Sequence, residues 1–257
     1  MSLVYEHVSK RYPDGTAALS DISFEVPPGQ FCVILGRSGA GKSTLLKCVN
    51  GLASPSAGRV VVDDLEVTPK TLRRLQPRIG MIHQSFNLVP RATVATNVIS
   101  GALPAVSTPR AMLGLFPKTL RDRACALIAE VGLGEEHLRR RVSALSGGQQ
   151  QRVGIARAFM LDPSYVLADE PVASLDPQTS VDILALIDRQ AKVHGAAVLC
   201  SLHQIDLTMR FADRVIALRD GQLIFDGAPE ALARSGLAGI YESGPCEPIQ
   251  LSRAIGA

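Results

Sequence analysis

The sequence predicts an α/β fold built on a mostly parallel sheet, and three observations predict it. The wholly apolar run Phe31-Cys32-Val33-Ile34-Leu35 has the texture of a strand covered on both faces, as in a parallel sheet. A glycine-rich loop and a helical pattern follow it directly. Further along, strand-sized apolar runs alternate with amphipathic helical stretches, the rhythm of strand–helix–strand units.

The elements follow in order. Residues 3–8 alternate loosely and read as a strand, and Ile22-Ser23-Phe24-Glu25-Val26 alternates cleanly, as a half-buried strand does. Pro27-Pro28-Gly29 turns the chain into the apolar run. After the glycine-rich loop comes a helical stretch that ends near Gly51, and Leu45, Leu46, Val49 and Leu52 recur at helical spacing. Residues 58–65 and 79–83 read as strands. From about 90 to 160 helical patterns dominate, as in residues 121–131, where Ala124, Leu127, Ile128 and Val131 share one face. This predicts a helical insertion in the α/β domain. Strand signals return at 165–168. An amphipathic helix follows with Ile183, Leu184, Ile187 and Ala191 inward and His194-Gly195 as its stop. Residues 196–202, 214–218 and 222–225 are further strands. The reading is one domain over 1–240 and a short tail at 241–257, with no internal repeat.

Composition narrows the function. The chain has 257 residues, enough to bury a full core, and 46% of them are hydrophobic. No apolar run approaches the roughly 18 residues of a membrane span. The start, Met1-Ser2-Leu3-Val4-Tyr5-Glu6, lacks a basic region followed by an apolar stretch, so a signal peptide is not expected and a cytoplasmic location is. A net charge of +3, no Trp and 4% aromatic residues argue against a nucleic-acid partner. Arg139-Arg140-Arg141 reads as a solvated turn. Five scattered cysteines without a C-x-x-C pair fit reduced thiols better than disulfides or zinc.

The chemistry sits in a few strings. Gly36-Arg37-Ser38-Gly39-Ala40-Gly41-Lys42-Ser43 fits G-x-x-x-x-G-K-[ST]. Its glycines let the backbone wrap tightly and aim N–H groups at phosphate oxygens, and the following helix adds its positive end. Lys42 would reach the β- and γ-phosphates and the Ser43 hydroxyl would bind Mg²⁺. Val166-Leu167-Ala168-Asp169-Glu170 is an apolar strand that ends in two acids at a sheet's carboxyl edge, where open α/β sheets bind ligands. Asp169 would hold the Mg²⁺ shell and Glu170 would polarise the attacking water. Leu145-Ser146-Gly147-Gly148-Gln149 reads as a second anion site, with Ser146 capping a helix over 150–159 and two glycines exposing backbone N–H groups. His203 follows a buried strand, at a position from which it would contact the γ-phosphate. His7, His83, His137 and His194 read as ordinary core or surface histidines.

Together these strings resemble the ATP-binding-cassette ATPases over about residues 3–232. The order is the phosphate loop, Gln84, the 145–149 string, Asp169-Glu170, Ser174-Leu175-Asp176 and His203. The resemblance implies a P-loop fold with an antiparallel β subdomain and a helical subdomain beside the parallel core. It implies ATP and Mg²⁺ as cofactors and a head-to-tail dimer in which each nucleotide lies between one copy's phosphate loop and the other's 145–149 string. It assigns Tyr12 to stacking on adenine. It adds Thr44, Gly147 and Gln149 to the nucleotide contacts. Ser146 and Gly148 go to the partner's γ-phosphate, Gln84 to the metal and water, and Asp176 to the dimer seam.

A finer resemblance is to the ATP-binding subunits of phosphonate importers. It rests on Phe86-Asn87-Leu88-Val89, Leu113-Gly114-Leu115-Phe116-Pro117, the run from Ala168 through Pro177, and Ser201-Leu202-His203-Gln204. Arg37, His83, Ser85 and Ala102 depart from that group's pattern. The resemblance implies integral membrane permease subunits, a periplasmic or lipid-anchored solute-binding protein acting indirectly, and a peripheral position on the cytoplasmic face of the inner membrane. The surface near 85–98 would meet the permease, and Phe86, Leu88, Val89 and Val94 in it read equally as core. Alternatives are an importer of phosphite, hypophosphite or another oxyanion, an exporter subunit and a non-transport cassette ATPase. An unrelated phosphate-loop kinase or GTPase would lack the 145–149 string, and a GTPase's Asn-Lys-x-Asp is not present.

Overall fold

A computed structural model describes residues 2–235. In chain order the described residues form β1 (Leu3–Arg11), β2 (Ala17–Val26), β3 (Phe31–Leu35), α1 (Lys42–Val49), β4 (Ala57–Val62), β5 (Leu65–Glu66), α2 (Leu72–Leu75), β6 (Ile79–Ile82), α3 (Val94–Ile99), α4 (Thr108–Met112), α5 (Lys118–Glu130), α6 (Gly147–Ala158), β7 (Tyr165–Asp169), α7 (Pro177–His194), β8 (Ala197–Ser201), α8 (Ile205–Phe211), β9 (Arg214–Arg219), β10 (Gln222–Gly227) and α9 (Pro229–Ser235). They divide into two compact units, one made of residues up to Leu72 with those from Ala197 onward, the other of Arg73–Ala196. The expected tail at 241–257 and Cys246 lie outside the described residues.

In the first unit, β1 is the antiparallel centre of a sheet ordered β2-β1-β4-β5. The apolar strand β3 runs parallel to both β8 and β9, and β10 closes that side antiparallel to β9. All five residues of β3 are buried, as its unbroken apolar run requires. Tyr5 of β1 is 1% exposed, stacks on Phe24 with ring centroids 4.4 Å apart, and donates its hydroxyl to the Leu45 carbonyl of α1 at 3.2 Å. The antiparallel sheet is thereby tied to the helix that follows the glycine-rich loop.

In the second unit, β6 and β7 pair in parallel. Around them α5 buries Ala124, Leu127 and Ile128, as its spacing predicts, with Val131 as its cap, and α6 buries Val153, Ile155 and Ala156. Helix α7 runs from Pro177, at the position where a missing N–H costs nothing, to Gly195, whose φ of 64° ends it.

Helix α1 ends near Gly51, as expected; the φ of +74° there leaves Leu52, at helical spacing on paper, beyond the helix and 70% exposed. Two other expectations need correction. The strand expected over 58–65 is broken at Asp63 and Asp64, whose φ values of 47° and 67° turn the chain between β4 and β5. Strands β1 and β2 both run longer than their alternation suggests. Register shifts along their pairing disrupt the period-2 pattern there. Cys32, Cys48 and Cys200 are buried reduced thiols, and Cys125 is an exposed one.

Candidate functional site

The first unit carries the phosphate loop between β3 and α1. Gly41 has a φ of +103°, and a Cβ there would lie 2.4 Å from the Ala18 carbonyl oxygen. The loop therefore passes too close to β2 for any side chain at that position. Gly39, at φ +84°, faces open space. Helix α1 begins at Lys42, and its N-cap Gly41 offers no side-chain cap.

Lys42 is only 4% exposed. Its Nζ donates to the carbonyls of Gly36 at 2.8 Å and Arg37 at 3.1 Å, and to His203 Nδ1 at 3.4 Å. An ammonium can only donate, so Nδ1 of His203 accepts and the imidazole proton belongs on Nε2. His203 reaches this place because Leu202 N donates to the Ile34 carbonyl at 3.1 Å, aligning the end of β8 with the end of β3. Tyr12 lies after β1, half-buried, with its hydroxyl 3.3 Å from Thr44 Oγ1 and the Lys10 ammonium 5.2 Å from its ring centroid. The structure therefore gathers Tyr12, the 36–44 segment and His203 in one unit.

The second unit carries the remaining candidates. Ser146 caps α6 in a reciprocal box: its Oγ accepts from Gln149 N at 3.3 Å, and Ser146 N donates to Gln149 Oε1 at 3.1 Å. The helix starts at Gly147, directly after the cap that the sequence predicts. The Gln149 amide also lies 3.3 Å from His137 Nε2. A Cβ on Gly148 would come 3.0 Å from Thr179 Cγ2 in the first turn of α7. Asp176 caps that helix by accepting from Thr179 N at 3.0 Å. Hydrogen bonds from the Thr179 hydroxyl and amide hold its carboxyl below the usual carboxylate range. The 145–149 string and Asp176 are thus neighbours.

Asp169 ends β7, half-buried, and Glu170 follows at a φ of 47°. A glutamate in the left-handed region is uncommon, and such outliers gather at sites where a side chain must be aimed. Gln84 is exposed in the loop after β6. Of its apolar neighbours Val94 is fully buried, Phe86 and Leu88 are half-buried, and Val89 is 61% exposed. The core reading thus holds for Val94 and fails for Val89.

Sequence reading missed two residues here. Arg157 of α6 donates to the carbonyls of Asn87 at 2.6 Å and Phe86 at 3.0 Å. His137 seats Gln149. Neither carries a motif, and only the folded chain brings them to these partners.

The chain matches the family model described as ABC transporter over residues 19–173. The Phosphonates import ATP-binding protein PhnC of Hydrogenovibrio crunogenus is 50% identical over 240 residues, 93% of this chain and 88% of that protein. The PhnC of Hyphomonas neptunium is 50% identical over 231 residues, 90% and 88% of the two chains. Among solved structures, cbiO1 from Clostridium perfringens, part of the ABC transporter complex cbiONQ, has a TM-score of 0.78 at 30% identity and covers 90% of each chain. The dimeric cassette MJ0796 in a post-hydrolysis state, bound to ADP and Pi, has a TM-score of 0.75 at 30% identity, covering 88% of this chain and 98% of its own. These similarities bear out the fold expected from the sequence.

Proposed function

Because the chain belongs to the ABC transporter family, in which ATP binding and hydrolysis drive transport, we propose that it is the ATP-hydrolysing subunit of a phosphonate importer and assign its residues as follows. Lys42, the amides of the 36–41 loop and the start of α1 bind the β- and γ-phosphates. Tyr12 stacks on the adenine, with Thr44 beside it. Ser43, Gln84 and Asp169 would hold Mg²⁺, since their hydroxyl, amide and carboxylate oxygens suit a hard cation. Bound there, it would supply neutralisation of phosphate charge. Glu170 accepts a proton from the attacking water. His203 donates Nε2–H to the γ-phosphate while its Nδ1 stays on Lys42. Phosphoryl transfer asks mainly for positioning and charge neutralisation, which these groups supply.

Ser146, Gly147, Gly148, Gln149 and Asp176 serve a nucleotide held by a second copy of the chain. Each ATP then stabilises the closed dimer more than the open one, which is the condition for nucleotide to shift that equilibrium. Movement passes to integral membrane permeases, and a solute-binding protein acts through them from the other side. The subunit works at the cytoplasmic face of the inner membrane. No helix among the described residues is long and apolar enough to cross a membrane, in keeping with a peripheral subunit.

The observation that carries the ATPase reading is the buried Lys42 ammonium, bracketed by two loop carbonyls and His203. The solute rests on the names of relatives at 50% identity. The test is Mg·ATP hydrolysis by the chain reconstituted with its permease and binding protein. Phosphonate should stimulate hydrolysis, and Lys42→Ala should lose nucleotide binding. Stimulation by phosphite or hypophosphite and not by phosphonate would overturn the solute assignment. Unaltered nucleotide binding by Lys42→Ala would overturn the site.

A further inference from the structure

We propose that Arg157 is a positioning residue that fastens the loop bearing Gln84 to the helix bearing the 145–149 string, so that the two move as one piece. The inference rests on the functional reading above for the meaning of both elements, and on geometry within the second unit for their coupling.

Helix α6 comes close to Phe86 at Gly147 and Gly154 and bonds to it through Arg157. Near its start, a Cβ on Gly147 would lie 3.8 Å from the tip of the Phe86 ring. Two turns later, a Cβ on Gly154 would lie 3.9 Å from the Phe86 carbonyl oxygen. At its end, the Arg157 guanidinium takes hold of the loop backbone, Nη1 on the Asn87 carbonyl and Nη2 on the Phe86 carbonyl. Gln84 is two residues before Phe86. Ser146, at the other end of the same helix, is its cap.

The loop is shaped for this grip. Phe86 and Asn87 have φ values of 58° and 49°, two consecutive non-glycine residues in the left-handed region. Such a stretch persists only where its surroundings over-determine it. Successive residues in this conformation present their carbonyls to one guanidinium fork. Only arginine offers two such parallel donors; lysine is a point charge and cannot bridge both. Burial pushes the Arg157 guanidinium pKa down, so the cation is held in a poorly solvated place by carbonyl dipoles. That arrangement is a poor way to gain stability and a good way to fix one geometry. A permease segment pressing on the loop would then displace α6, and with it Ser146, through the Arg157 clasp.

The test uses the full chain and its reconstituted complex, with Arg157→Ala and Arg157→Lys. In Arg157→Ala the affinity of the isolated chain for metal-free ATP, which rests on Lys42, the 36–41 loop and Tyr12, should stay within about twofold, while kcat in the complex falls by about 3- to 30-fold, the range for residues that carry coupling. Guanidinium ion at millimolar concentration should restore part of that kcat, and Arg157→Lys should not. Independently of any ATPase activity, amide exchange over residues 83–89 should accelerate in Arg157→Ala while exchange in the centre of α6 does not. If Arg157→Ala is poorly folded, Arg157→Lys keeps the stem and the charge and carries the same kinetic and exchange measurements. The proposal is overturned if kcat is unchanged, if guanidinium restores nothing, or if loop exchange stays at the wild-type rate. Absence of hydrolysis in the wild-type complex would instead sink the functional reading and leave the exchange measurement to judge the clasp.

Discussion

Replacing Gly39 and Gly41 singly by alanine separates two costs that the phosphate loop combines. Both glycines have positive φ, +84° and +103°. An L-residue in the left-handed region costs about 1–2 kcal/mol. For Gly39 that is the whole expected penalty, because no atom lies within 4 Å of the added Cβ. For Gly41 the Cβ would also come 2.4 Å from the Ala18 carbonyl oxygen and 2.9 Å from Leu19 Cδ2. A backbone carbonyl in β2 cannot swing aside as a side-chain tip can, so loop or strand must shift. Overpacking of this kind adds about 1–3 kcal/mol. The totals are about 1–2 and about 2–5 kcal/mol. At about 2–4 °C per kcal/mol for a chain of this size, Gly39→Ala should lower Tm by about 2–8 °C and Gly41→Ala by about 4–20 °C. Thermal unfolding followed by circular dichroism measures both. A Gly39→Ala loss equal to or larger than that of Gly41→Ala would refute the assignment of the close approach to Gly41.

Three other outcomes follow from the same geometry. Glu170→Gln should bind ATP normally, hydrolyse it about 10²–10⁴-fold more slowly and accumulate as an ATP-bound dimer on size exclusion, and near-normal turnover would remove Glu170 from the general-base role. Burial pushes the Cys32 thiol up to about 12 and the Cys48 thiol up to about 11, while Cys125 is exposed. With Cys246 replaced by serine, a thiol reagent at mildly alkaline pH should therefore label Cys125 alone until the protein unfolds, and mass spectrometry would expose any second site. Asp176 has a depressed carboxyl pKa, so its ionised form adds stability above the unfolded carboxyl's pKa and loses it as pH falls through the folded value. Against Asp176→Asn, which keeps an acceptor for Thr179, the wild-type advantage should be level near neutrality and shrink below about pH 4. An advantage that stays constant into strong acid would contradict the assignment.

The parts of the site that are legible in the sequence are those whose chemistry is local. A glycine loop after a buried strand, acids at a strand end and a serine before a helix each declare themselves within a few residues, and each is found where its neighbours predict. Leu52 shows how spacing alone misleads: it continues the helical period on paper, but Gly51 has already ended the helix. The left-handed φ of Glu170 has no compositional signature, because glutamate there is held by its surroundings and not by its own preference. Likewise nothing near Arg157 in the chain announces a partner 70 residues earlier. The contact between Lys42 and His203 spans 161 positions and depends on β8 lying beside β3. Motifs single out the candidate groups, and the fold alone decides what orients them.

The lysine at the mouth of the glycine loop has a further consequence for how fast nucleotide can arrive. Its cation is already largely removed from water by folding and donates to carbonyl dipoles. In the role proposed for it, an incoming γ-phosphate would exchange one set of oxygens for another around that ammonium, with little of a water shell left to strip. Capture would then be a swap of partners, and release the same swap in reverse.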